Sequence, residues 1–132
     1  MSLEVSPDLL AAAHRGEVDD DALVGCIRES LPYAWEVVSS AAGAGPVPGS
    51  PTVHEVPPPS EAARGELLRA LASDAIRGGL ERHFGVVLAF QNCHRVAAFS
   101  PEGVEGADAD TFDAFVSPCG QLLNQSPELR DC

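Results

Sequence analysis

The stretch from Ser60 to Phe99 constrains this chain more than any other, because it reads as one long helix feeding a two-stranded hairpin that is apolar on both faces. Ser60 follows three prolines and suits a helix N-cap. Arg82, His83 and Gly85 supply a basic last turn and a residue that tolerates positive φ just beyond it. Along the helix Leu67, Leu68, Leu71, Ala72 and Ala75 form one apolar stripe, while Ile76, Leu80 and Phe84 fall on a second side. A helix with two apolar sides needs two partners. Gly78-Gly79 remove side-chain bulk near the turn, so close approach by another helix is expected there, from the same chain or from a second subunit.

With Asn92-Cys93 as a two-residue turn, Val86, Leu88, Phe90, Arg95, Ala97 and Phe99 share one face of the hairpin. Val87, Ala89, Gln91, His94, Val96 and Ala98 then share the other, and Gln91 sits directly opposite His94. Neither face is polar, so the sheet must be covered twice: by the long helix on one side, and by the C-terminal helix or a symmetry mate on the other. Two strands also leave open edges, which a dimer-wide four-stranded sheet would satisfy. The expected fold is therefore α+β, mostly α, with four to five helices plus one antiparallel β-hairpin. An intertwined homodimer is expected, its protomer a single domain over residues 1–132.

The remaining segments fit around this unit. A short helix enters through Ser6-Pro7-Asp8 and closes at Gly16. A second begins at Asp19-Asp20-Asp21, carries Leu23, Ile27 and Leu31 at four-residue spacing, and bends at Pro32 unless Ser30 caps a fresh helix there. The Pro/Gly-rich stretch 43–59 holds six of the eleven prolines and no periodicity, and reads as a loop, a lid or a disordered linker. Phe112, Phe115, Val116, Cys119, Leu122 and Leu123 mark a last core helix interrupted at Ser117-Pro118.

Charge then narrows the partners. A net charge of −12 repels nucleic acid and anionic membranes, leaving a basic protein, a lysine-containing peptide or plain solvent as the natural neighbour of the surface. All eight basic residues are arginine, so Schiff-base chemistry and a phosphate-loop lysine are excluded. Cysteines 26, 93, 119 and 132 show no C-x-x-C spacing, and neither a metal nor a cofactor is expected. The N-terminus has no secretory pattern, and no stretch approaches the roughly eighteen apolar residues of a membrane span. A cytoplasmic protein with reduced cysteines is the expectation, with Cys26 and Cys119 as small core residues.

Two groups of side chains could carry chemistry. Tyr33, Trp35 and Glu36 combine amphipathic rings with a carboxylate beside the Pro32 bend, as pocket walls or as core anchors. Gln91 and His94 sit at the hairpin tip, where a histidine is either functional or a hydrogen-bonded structural residue. Arg77 is a possible anion contact, or the partner of Glu81 in an exposed pair. A carboxylate and an imidazole meeting across a cleft would suffice for proton transfer without a cofactor.

The segments LPYAWEVV, LLRALASDAIRGGLERHFGV, AFQNCHRVA and LNQSPELRDC resemble a small family of actinobacterial proteins of no assigned function. In size, acidity and helix-plus-hairpin layout the chain is also similar to the lysinoalanine synthase of cinnamycin- and duramycin-type lantibiotic pathways. That second resemblance implies a homodimer that adds a lysine amine of a ribosomal peptide to a dehydroalanine. In such a reaction Glu36 would deprotonate the ammonium, and His94 with Gln91 would serve the developing enolate, between walls of Tyr33 and Trp35. The alternative expectation is a non-enzymatic dimeric adaptor or regulator that holds a basic protein, with Trp35 and Tyr33 as interface anchors.

Overall fold

The computed structural model describes residues 2–125, and the expectation that Cys132 is a reduced chain-end thiol lies outside them. The described chain is α+β and mostly helical, with seven α-helices and a three-stranded antiparallel sheet, more than the four to five helices and single hairpin expected. In order these are α1 (Pro7–His14), α2 (Asp20–Ser30), α3 (Pro32–Gly43), β1 (Thr52–His54), α4 (Glu61–Leu71), α5 (Asp74–Phe84), β2 (Val87–Gln91), β3 (Arg95–Phe99), α6 (Ala109–Val116) and α7 (Pro118–Leu123). A single 3-10 turn, Gly103–Glu105, precedes α6.

The long helix expected from residue 60 onward is in fact two. Ser73 adopts extended backbone angles and its hydroxyl accepts from the Ile76 N–H, which starts α5 immediately after α4 ends. This break resolves the two apolar sides: Leu67 and Leu71 of α4 and Ile76 and Leu80 of α5 all lie in one core, because the chain re-aims between them. Ser73→Ala is expected to destabilise the fold by about 1 kcal/mol in chemical denaturation. An unchanged denaturation midpoint would mean that the break does not depend on this cap.

Ile76 and Leu80 are buried within one chain, so the helix does not need a second subunit to cover them. The partner at Gly78-Gly79 is α2 of the same chain, since a β carbon at Gly79 would lie 2.9 Å from Leu23 Cδ2. The α2–α5 contact is closed at the surface by Arg82, which grips both carboxylate oxygens of Asp20 at 2.8 and 2.9 Å. That bidentate pairing holds the Asp20 carboxyl below its ordinary range.

The Pro/Gly-rich stretch is not a lid or linker throughout. Thr52–His54 pairs with β3, making the sheet order β1-β3-β2, and the Thr52 hydroxyl donates to the Ala41 carbonyl at the end of α3. Both oxygens of the buried Asp108 accept from the Gly49 N–H at 3.1 Å, tying the same stretch to the start of α6. Pro32 begins α3 at its first position, where the missing donor costs nothing, and Ser30 caps no helix: its hydroxyl accepts from the Glu4 N–H.

The hairpin register is shifted by one residue from the expected one. Gln91 opposes Arg95 and Val87 opposes Phe99, with His94 left over beyond Asn92 and Cys93, which both have positive φ. A one-residue shift turns all of β3 over relative to β2. Val87, Ala89, Gln91, Arg95, Ala97 and Phe99 therefore share one face, and Leu88, Phe90, Val96 and Ala98 the other. The second set joins the core under α3, α4 and α5, and the first packs on Phe112 and Phe115 of α6. Both apolar faces are covered from within the chain. Cys119, Leu122 and Leu123 are exposed rather than core, while Cys26 is buried as expected. Cys93 is disulfide-bonded, which corrects the expectation of a reduced thiol at that position, while Cys26 and Cys119 are free.

Candidate functional site

The sequence-predicted residues fall into three places. Tyr33, Trp35 and Glu36 lie in the first turns of α3, where Pro32 starts the helix. Trp35 is half-buried against His83 and Phe84, with ring centroids 5.7 and 5.3 Å away, and the Arg28 guanidinium lies 5.7 Å over its ring. This is the core-anchor role. Tyr33 is half-buried, and its backbone N–H donates to the Glu66 carboxylate at 2.8 Å. Burial first, then the charges of Glu36 and Glu66, push the Tyr33 phenol above its ordinary range. Glu66 is a neighbour that no local pattern announces, because it comes from α4, 33 residues away. Glu36 itself is exposed.

Gln91 occupies a different region and is used to capacity. Its amide nitrogen donates to the carbonyls of Ala114 and Gly120 at 2.9 and 3.3 Å, and its side-chain oxygen accepts from Arg95 Nη1 at 2.6 Å. It thus clamps the end of the sheet to the junction of α6 and α7. Gly120 belongs to the same clamp: a β carbon there would overlap the Ala114 carbonyl, so only glycine permits the approach. Arg95 completes the unit, pairing with Glu55 at 3.1 Å and lying 4.7 Å over the Phe115 ring. Sequence reasoning missed Arg95, and the only signal for it was the register, which placed His94 opposite Gln91 instead.

His94 is buried, and its Nδ1 lies 2.8 Å from the Asn92 carbonyl oxygen. That oxygen only accepts, so Nδ1 carries a proton. With Glu55, Asn92, Arg95, Leu123 and Asn124 it lines a polar cavity of about 430 Å³. Glu36 does not line that cavity, so the two residues proposed as an acid–base pair do not meet there.

Arg77 is the third place. It does not pair with Glu81; it binds Asp74 at 2.7 Å and donates to the Leu71 carbonyl at 3.1 Å, covering the break between α4 and α5. Glu81 turns instead to the sheet and accepts from the Leu88 N–H at 2.8 Å. Both line a second cavity, of about 480 Å³, whose other walls are β2 and the apolar side of α6. Among the described residues, no group of three or more histidine, cysteine or carboxylate side chains could hold a metal ion, and no helix is long and apolar enough to cross a membrane.

One protein family, described as NucS shadow ORF, matches over residues 1–132. No curated protein and no solved structure matches the chain. Nothing in these findings connects it with lysinoalanine synthases.

Proposed function

Because the chain belongs to the NucS shadow ORF family, whose description names a reading frame and no chemistry, we propose from its geometry that it is a non-enzymatic binding protein for a basic protein segment. The observation that carries this is how its charges are spent. Twenty acidic side chains face eight arginines, and Arg15, Arg64, Arg77, Arg82 and Arg95 are each committed to an internal ion pair. The unmatched surface charge is negative and long-ranged, which speeds encounter with cationic partners and rejects anionic ones.

The residues that would serve conjugate addition support binding better than catalysis. Gln91 and Arg77 are held in structural hydrogen bonds, Trp35 is an anchor, and Glu36 lies outside the cavity that holds His94. The test is fluorescence anisotropy against a set of extended arginine- and lysine-rich peptides carrying different apolar residues. Sequence-selective binding is expected, weakening between about 0.1 and 1 M salt as the screening length falls from about 10 to about 3 Å. Equal affinity for every peptide of one charge, or none for any, overturns the reading.

The family description favours a second reading, in which the frame is read only as the shadow of NucS and its product has no partner. Local chemistry speaks against it. Ser6, Asp19, Ser60, Ser73 and Ser117 each place a side-chain oxygen on a backbone N–H of the helix they precede, and Gly85 takes the left-handed angles that end α5. Such agreement between local choices and the global fold marks a sequence selected to fold. Targeted mass spectrometry for this chain's peptides in the cells that encode it separates the two readings.

A further inference from the structure

We infer that the groove beside the free edge of β2 takes an extended basic peptide segment, which adds to the sheet as a fourth strand. This rests on the reading of the chain as a binder of basic partners, and locates the contact. The order β1-β3-β2 leaves β2 with one side unpaired. The 480 Å³ cavity is lined by four consecutive residues of that strand, Val87, Leu88, Ala89 and Phe90. Successive side chains of a strand point to opposite faces, so a cavity touching all four runs along the strand's edge. One wall is the end of α4 together with Arg77 and Glu81 of α5, and the other is Phe112, Phe115 and Val116 of α6.

The edge presents outward hydrogen-bonding groups, one of them held by the Glu81 side chain, which an incoming strand would replace. The Leu88 N–H points outward, since its acceptor is the Glu81 carboxylate rather than β3, and Phe90, two residues on, has the same direction. An incoming peptide carbonyl is the natural acceptor for such groups, and alternate side chains of the peptide would enter the apolar wall. Charge decides the occupant. From Val96 to Gln125, the segment that builds the α6 wall, there are five carboxylates and no arginine. Asp108 is buried in its bond to Gly49, while Glu102, Glu105, Asp110 and Asp113 are exposed. On the opposite wall the charge of Arg77 is cancelled by Asp74. With Arg77 neutralised, Glu81 is the remaining charge lining the groove, and in a chain of net charge −12 the groove favours a cationic segment.

The experiment compares Val116→Arg with Val53→Arg in the full chain, using the tightest peptide from the anisotropy set. Val116 is 51% exposed at the groove and Val53 is 44% exposed on β1, the opposite edge strand, so both variants change net charge equally while only one obstructs the groove. At least a tenfold loss of affinity is expected for Val116→Arg and less than threefold for Val53→Arg, with hydrogen exchange slowed at the Phe90 amide when peptide binds wild type. Equal losses in both variants, or no protection at Phe90, overturn the groove assignment while leaving the binding reading standing. Absence of binding by the wild type overturns both. A peptide-free dimer that Val116→Arg abolishes would show that a second copy of this chain occupies the edge, and would also overturn the proposal.

Discussion

Phe99→Ala is expected to cost about 3–5 kcal/mol and to leave little folded protein at physiological temperature if the domain has an ordinary stability of about 5–15 kcal/mol. Phe99 is fully buried, and its ring meets those of Phe112 and Phe115 edge-on, with centroids 5.4 and 6.1 Å away. Truncation removes the largest side chain between the sheet and α6, and Ala89 and Ala97 beside it are too small to collapse into the space. The same residue tests the hairpin register. Edge-to-face pairs couple by about 0.5–1.5 kcal/mol beyond their burial, so a double-mutant cycle between Phe99 and Phe115 should show that coupling. A cycle between Phe99 and Leu88, which share a face only in the register of a simple two-residue turn, should show none. The reverse result would mean that β3 is turned over.

Gln91→Leu comes next, with an expected loss of about 2–3 kcal/mol, or roughly 10 °C in melting temperature. Leucine has nearly the same volume, so the cost is polar. Three hydrogen bonds go at once: those to the carbonyls of Ala114 and Gly120, which keep Asn124 as a donor, and the 2.6 Å bond from Arg95, which keeps Glu55. Two net hydrogen bonds of about 1 kcal/mol each and one to a charged group make up the loss. Chemical denaturation monitored by circular dichroism gives the number. A loss under about 1 kcal/mol, the size of an ordinary net hydrogen bond, would mean that Gln91 is dispensable as a clamp and free for another role.

Much of the local architecture was legible. The caps at Ser6 and Ser60, the left-handed Gly85, the bend at Pro32 and the interruption at Ser117-Pro118 all depend on a residue and its immediate neighbours, and all are in place. The break at Ser73 was masked because LLRALASDAIRGGL keeps helical spacing of apolar residues on both sides of the cap. Short β1 was hidden among prolines, since a three-residue strand carries no periodicity and exists only because β3 offers it an edge. Of the candidate site residues, Gln91 and His94 were recognised as neighbours at one hairpin end. Their roles were not legible, because those depend on Arg95 crossing from the opposite strand and on carbonyls supplied by α6 and α7.

By itself, the order of residues determined where most helices start and stop, the junction at Ser73 excepted, that the hairpin would be apolar on both faces, and that the surface would be strongly acidic. These are properties of single residues and short spacings, fixed by sterics, capping and formal charge. Tertiary structure decided which strand face met which helix and whether one chain could cover its own apolar surface. It also decided which polar groups were used up internally, leaving the β2 edge and its groove open. Those outcomes turn on a one-residue choice of register and on contacts between segments far apart in the chain, where packing, not local preference, selects among alternatives of similar local energy.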